Sequence, residues 1–224
     1  MKKTINTKTI TTIVNFILDR SGSMNECKEG TISGFNKYLK DLQKKKGHVL
    51  FSLTFFDTRV DKKYTLVPLS EVKKLNSENY VPDGNTALYD AAIDTIEQVS
   101  EQVDGMRESK PTVLTVIMTD GEENSSVHHD RECLNDLISK LQKAGNWTFI
   151  YLGANQDSWD NARHMGFSSG NVANYQSSNL GTMRGMNSVF MATSNLMDSS
   201  LTAGKAMASV DLLANLKGGQ NGIT

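Results

Sequence analysis

Four apolar runs limit the folds that are open to this chain. They are residues 11–18, 49–56, 112–118 and 147–152, and they are rich in β-branched and aromatic residues. A strand with one face in water alternates apolar and polar residues, whereas these runs show almost no alternation. They therefore predict strands that are buried on both faces. A weaker run, residues 63–68, ends in Pro68 and predicts an edge strand.

Between these runs the apolar residues recur about every 3.6 positions, which predicts amphipathic helices over residues 32–42, 87–103 and 133–141. Strands that alternate with helices predict an α/β fold, with a doubly wound, mostly parallel central sheet and helices on both faces. In such sheets ligands bind beyond the carboxyl ends of the strands. The loops that follow the strands are therefore the places to search for a site.

The net charge of −1 conceals an uneven distribution. Residues 1–50 hold ten Lys and Arg against four Asp and Glu, whereas residues 83–136 hold three against thirteen. An acidic centre repels phosphates and attracts cations, which argues against a nucleic-acid partner and for a metal site. There is no apolar run of roughly 18 residues and no signal-peptide pattern. With only two cysteines, Cys27 and Cys133, we expect a cytoplasmic protein without a membrane partner.

Three loops are rich in oxygen donors. The loop after the first strand reads DRSGSM over residues 19–24, the loop after the 112–118 run reads TDGEEN, and the turn DGNT at residues 83–86 precedes a helix. Thr86 is predicted to cap that helix and still to present its hydroxyl outward. Carboxylates and hydroxyls without thiolates suit Mg²⁺ or Mn²⁺ better than zinc.

The pattern D-x-S-x-S after a buried strand, a Thr before a later helix and T-D-G after a central strand resemble the von Willebrand factor type A domain, over residues 11–166. The resemblance implies a doubly wound fold with a metal-ion-dependent adhesion site. It implies that Ser21 and Ser23 bind the ion directly, that Thr86 binds it directly or through water, and that Asp19 and Asp120 hold coordinated waters. The last position would be filled by a carboxylate of a partner protein.

The wording of the motifs looks most like that of stand-alone cytoplasmic type A proteins of bacteria and phages. We therefore expect a non-enzymatic interaction module, monomeric or weakly associating, whose partner is an AAA-type ATPase or a component of a stress response or phage assembly. No catalytic residue is assigned. Two alternatives remain open: a metal-dependent phosphohydrolase, and a structural component of a particle or filament that makes its contacts through the C-terminal segment.

Other charged and metal-ligating residues have two interpretations each. Arg20 and the pair Glu122 and Glu123 either select a partner by charge or are solvated loop residues. His129 and Cys133 stand four positions apart and could hold zinc, or they belong to a polar loop that leads into a helix capped by Asp130.

The C-terminal part differs in composition and holds five of the ten Met residues. We expect a type A domain over residues 1–166, a Met-rich helical extension packed on it over residues 167–216, and a flexible tail over residues 217–224. Helical spacing predicts that one face packs in the core, formed by Met183, Met186, Phe190 and Met197.

Overall fold

The computed structural model describes residues 10–106, 110–154, 158–208 and 211–213. A six-stranded sheet has the order β3-β2-β1-β4-β5-β6, and every neighbouring pair is parallel except β2 and β3. The strands are β1 Thr11–Asp19, β2 His48–Phe56, β3 Val60–Pro68, β4 Thr112–Thr119, β5 Trp147–Gly153 and β6 Val172–Asn174. The main helices are α1 Lys28–Leu42, α2 Leu88–Asp104, α3 Arg131–Lys143, α4 Ser158–His164 and α5 Asn179–Ala203. The predicted doubly wound α/β class is confirmed.

The central strands are buried on both faces, as their sequences predict. All residues of β4 and β5 are buried, and so is every residue of β1 after Thr11. β3 is the antiparallel edge strand and ends at Pro68, but it begins at Val60, three residues before the predicted run. Its first residues escape the pattern because an edge strand with polar, half-exposed side chains gives a weak apolar signal.

Two cores lie on opposite sides of the sheet. On one side, α1 and α5 cover a cluster of aromatic rings in which the centroids of Phe16 and Phe35 are 5.6 Å apart. On the other side, α2 and α3 cover a mainly aliphatic cluster that includes Ile13 and Ile17. Successive side chains of a strand point to opposite faces, so β1 supplies both cores. The carboxyl end of β1 is therefore fixed from both sides.

The C-terminal helix α5 packs closely against α1. Asn179 Oδ1 accepts a hydrogen bond from Gly30 N at 2.7 Å, and a Cβ on Gly30 would lie 2.4 Å from Asn179 Cα. Met186 and Met197 are buried, and Phe190 packs against the same core. Met183 is 39% exposed, so its predicted burial is wrong. It follows the buried Thr182 and is thus turned by about 100° away from the packed face.

The segment after residue 166 contributes to the sheet as well as to the helical layer. Its short strand β6 pairs in parallel with β5, and α5 follows it. The boundary at residues 166 and 167 stays a prediction, and the predicted tail at residues 217–224 lies outside the described residues. None of the helices in the described part of the chain is long and apolar enough to cross a bilayer.

Candidate metal centre

Asp19 stands at the carboxyl end of β1, and its carboxylate is held by two neighbouring groups. Oδ1 accepts a hydrogen bond from Ser21 N at 2.6 Å, and Oδ2 accepts one from the Thr119 hydroxyl at 2.5 Å. The Tyr80 hydroxyl donates to the backbone oxygen of Asp19 at 2.6 Å. Asp19 is fully buried. These contacts fix its carboxylate at the edge where β1 and β4 end side by side.

Two backbone hydrogen bonds bring the predicted turn at residues 83–86 to the first loop. Gly22 N donates to Gly84 O at 3.0 Å, and Asp83 N donates to Arg20 O at 2.9 Å. Gly84 has φ +72°, a conformation that glycine adopts without steric cost, and this lets the turn close against Thr58. The two loops therefore form one structure, although about sixty residues of chain separate them.

Three hydroxyls converge around Gly121, the residue that follows Asp120. A Cβ placed on Gly121 would lie 3.1 Å from Thr86 Oγ1, 3.5 Å from Ser23 Oγ and 4.0 Å from Ser21 Oγ. We call these three hydroxyls the cradle. Ser21 Oγ lies 3.1 Å from Ser23 Oγ, and Ser23 Oγ donates to Asp120 Oδ1 at 2.6 Å. The structure thus brings together all five residues singled out in the sequence: Asp19, Ser21, Ser23, Thr86 and Asp120.

The prediction that Thr86 caps α2 is wrong, because the N-cap residue is Ala87 and no side chain of its own segment caps the helix. The loop after β4 caps it instead. Tyr89 N donates to Glu123 Oε2 at 3.0 Å and to Ser126 Oγ at 3.1 Å. Thr86 is held by its backbone, since its N–H donates to Asn124 Oδ1 at 3.0 Å. Its hydroxyl is therefore left for the cradle.

Two of the three charged residues singled out beside the cradle, Arg20 and Glu123, have structural partners. Arg20 donates to Asp57 Oδ2 at 2.7 Å and to Asp61 Oδ2 at 3.2 Å, so its half-buried guanidinium is held by the protein's own carboxylates. Glu123 accepts hydrogen bonds from the backbone of Ser125 and Ser126, from the Ser126 hydroxyl and from Tyr89 N. Only Glu122 of this set is an exposed loop residue.

Burial raises the pKa of both site carboxyls. The pKa of Asp19 rises to about 6, because desolvation outweighs its hydrogen bonds from Thr119 and Ser21. Burial likewise raises the pKa of Asp120 in spite of its hydrogen bonds from Ser23 and Ser177. Protonation or a nearby cation relieves such a penalty. These two carboxylates are therefore suited to support a bound cation.

The donor set itself fits a hard divalent cation. The described residues contain no group of three or more His, Cys, Asp or Glu side chains placed to hold a metal. The oxygen donors that the cradle supplies are three hydroxyls. Hydroxyl and carboxylate oxygens are ligands for Mg²⁺ and Mn²⁺, whereas zinc prefers sulfur and nitrogen. The donor chemistry of the five residues fits such an ion.

Two further residues position the site and were missed in the sequence. Ser177, in the loop before α5, donates to Asp120 Oδ2 at 3.3 Å. Thr119 holds Asp19. Thr119 is the first residue of the TDG motif and could have been found from its place at the end of β4. Ser177 gives no local signal, because it reaches the site only through the path of the chain after β6.

The zinc interpretation of His129 and Cys133 has no support in the geometry. His129 Nε2 lies 3.3 Å from Asp94 Oδ1, and Asp130 Oδ1 accepts a hydrogen bond from Cys133 N at 2.9 Å. Asp130 is the N-cap of α3, as the alternative interpretation predicts. The other cysteine, Cys27, is fully buried and packs beside Met24.

The model of the von Willebrand factor type A domain family matches residues 14–189, which is most of the chain. The chain therefore belongs to this family. None of the curated proteins matches it in sequence.

Solved structures share the fold at low sequence identity. Proximal thread matrix protein 1 from the mussel byssus, with a zinc-occupied MIDAS motif (the metal-ion-dependent adhesion site), has a TM-score of 0.58 at 18% identity, over 81% of this chain and 45% of that one. The von Willebrand factor type A protein from Catenulispora acidiphila has a TM-score of 0.58 at 12% identity, over 83% of this chain and 43% of that one. Manganese-loaded TRAP protein from Plasmodium vivax has a TM-score of 0.51 at 15% identity, over 79% of this chain and 72% of that one. The chain spans less than half of the mussel and Catenulispora proteins.

Proposed function

We propose that this member of the von Willebrand factor type A family is a metal-dependent protein interaction module, in which a divalent cation in the cradle binds an Asp or Glu carboxylate of a partner protein. The observation that carries the proposal is the convergence of three hydroxyls from two distant loops beside two buried carboxylates. In a site that served only folding, the hydroxyls would be expected to find backbone partners within their own loops.

Ser21, Ser23 and Thr86 would hold the ion, and Asp19 and Asp120 would hold its waters and orient the hydroxyls. When bound, the ion supplies a positive centre that attracts an anionic ligand. Neutral hydroxyl ligands leave more of its charge uncompensated than carboxylate ligands would. We propose Mg²⁺ or Mn²⁺ from the oxygen-rich donor set; the zinc and manganese in two solved structures of this fold support a divalent ion of some kind.

The acidic surroundings favour a protein partner over nucleic acid. Glu122 and Glu123 flank the cradle and would repel a polyphosphate backbone. A non-enzymatic role is part of the proposal, because the described hydrogen bonds of Asp19, Ser21 and Ser23 include no imidazole or thiol that could serve as base or nucleophile. A cytoplasmic bacterial or phage setting, with an AAA-type ATPase or an assembly or stress-response component as partner, rests on the resemblance of the motifs alone.

The test has a metal-binding step and a ligand-binding step. Calorimetric titration with Mn²⁺ should show one site in the wild type and a loss of at least about tenfold in affinity for Ser21→Ala. The matched control is Ser188→Ala, which alters a half-buried serine of α5 whose hydroxyl bonds only to its own helix. It should bind Mn²⁺ as the wild type does.

Selection of displayed random peptides on the protein in Mg²⁺, with elution by chelator, then tests the ligand. The recovered peptides should share an Asp or Glu, and replacing it by Asn or Gln should abolish binding. Recovery of peptides without acidic residues would refute the proposed function. So would turnover of a generic phosphoester that is lost in Asp19→Ala, because that result would indicate the phosphohydrolase.

A further inference from the structure

A cleft of about 130 Å³ adjoins the cradle at the carboxyl ends of β4 and β5. Gly121 belongs to both, because it lines the cleft and the three hydroxyls lie around the position of its absent Cβ. The other walls come from the start of α2, the loop after β4, the end of β5 and α4. Apolar cavities of roughly 150 Å³ hold a benzene molecule, so this cleft is large enough for one long side chain.

The lining of the cleft combines apolar surface with carboxylates. Leu88 and Met165 supply aliphatic and thioether surface, and Tyr89 and Tyr151 supply aromatic rings. Glu122 and Glu123 supply two carboxylates, and no Lys or Arg stands among the lining residues. Glu123 is committed to four donors of the protein. Glu122 is exposed and makes no hydrogen bond or ion pair with the described residues.

The hydroxyl of Tyr151 limits what the cleft can hold. Tyr151 is only 4% exposed and lines the cleft, and its hydroxyl makes no hydrogen bond with the residues that the structure describes. It is not one of their buried polar atoms without a partner, so the hydroxyl itself reaches solvent. A ligand that covered this hydroxyl without offering it a hydrogen bond would cost free energy. A wholly apolar side chain in the cleft would leave this hydroxyl unpaired and would also desolvate Glu122. An acidic side chain would be repelled by both carboxylates.

We propose that the cleft receives a Lys or Arg side chain from the same partner segment whose carboxylate binds the ion. The aliphatic stem would pack on Leu88 and Met165, and the cationic end would meet Glu122, Tyr151 and the aromatic rings. Since cleft and cradle share Gly121, the two partner residues stand close in sequence. In an extended segment, side chains two positions apart point the same way and are roughly 7 Å apart.

The inference rests on the proposed function and adds to it which charged residue of the partner occupies which part of the site. The partner's acidic residue goes to the ion, and its basic residue goes to the cleft. The site would thereby discriminate against segments that carry only negative charge, because a second carboxylate near the cleft meets Glu122 and Glu123.

The peptide selection described above tests this proposal when it is repeated with variants. For the wild type in Mg²⁺ we expect Lys or Arg to be enriched within about three positions of the acidic residue. Glu122→Gln should keep the acidic enrichment and lose the basic one. Glu101→Gln, which alters an exposed glutamate of α2 outside the cleft, is the matched control and should keep both.

Binding of one selected peptide, measured by fluorescence anisotropy, gives the magnitude. Replacing its Arg by the uncharged analogue citrulline, or its Lys by norleucine, should weaken binding to the wild type about five- to tenfold and binding to Glu122→Gln less than about twofold. Tyr151→Phe, which removes only the hydroxyl, should also weaken the binding of the unmodified peptide.

Two outcomes separate the two proposals. Acidic peptides without a neighbouring basic residue, or with an apolar one in its place, would overturn the cleft assignment and leave the proposed function standing. A selection with no acidic residue would overturn both.

Discussion

Gly121→Ala places a methyl group inside the cradle. The new carbon would lie 3.1 Å from Thr86 Oγ1 and 3.5 Å from Ser23 Oγ, and the first of these separations is shorter than an ordinary carbon–oxygen contact. The φ angle of Gly121 is not positive, so alanine brings no backbone strain. The Thr86 hydroxyl would therefore have to move by a few tenths of an ångström, away from the point that it shares with the two serines.

A shift of that size is large for a small divalent ion, because Mg²⁺ demands near-octahedral geometry with oxygens at about 2.0–2.1 Å. We expect Mn²⁺ or Mg²⁺ affinity to fall by about 10- to 100-fold, or about 1.4–2.8 kcal/mol. Global stability should change by less than about 1 kcal/mol, since the methyl group meets hydroxyl termini and not packed backbone.

The assay is calorimetric titration with Mn²⁺, combined with thermal denaturation of the metal-free protein. Gly105→Ala is the matched control, because Gly105 is the C-cap of α2 with φ −74° and its added Cβ meets only its own helix end, no closer than 3.4 Å. Unchanged Mn²⁺ affinity in a folded Gly121→Ala protein would refute the assignment of the cradle as the metal site.

Two further predictions concern stability. Burial raises the pKa of Asp90, but three backbone N–H groups from Val127 onward outweigh it and hold the pKa below 3.8. The stabilisation is thus present above about pH 4 and is lost as pH falls through the folded pKa. Asp90→Asn should cost about 1–3 kcal/mol in urea unfolding at pH 7 and less near pH 2; a pH-independent cost would contradict this. Gly30→Ala should cost at least about 1–3 kcal/mol, because its Cβ would overlap the Asn179 backbone; a melting temperature like that of the wild type would contradict it.

The fold was predictable because its signals are local. A strand buried on both faces carries its burial in its own residues, so β1, β2, β4 and β5 could be found without knowing their neighbours. The short strand β6, with three residues, carries too little pattern to be found in this way. Met183 shows the limit for helices, since apolar residues at helical spacing do not reveal where the buried face ends.

The proximity of the five candidate residues was predictable from the sequence, but the contacts that hold them were less so. The five residues follow strands or precede a helix, and the topology brings those places together. The role of Glu123 as a cap for α2, and that of Ser177 as a support for Asp120, depend on contacts between distant segments. A side chain that bonds to a distant segment leaves no pattern in the residues around it. The sequence therefore offered only the nearby Thr86 as a cap for α2, and that prediction is wrong.

The most direct measurement of the central claim is anomalous diffraction at the manganese edge from crystals grown with Mn²⁺. The account predicts one strong peak within direct coordination distance, roughly 2–2.5 Å, of Ser21 Oγ and Ser23 Oγ, with Asp19 and Asp120 behind bound waters. A well-diffracting crystal with manganese elsewhere, or with the three hydroxyls bonded only to protein and water, would contradict it.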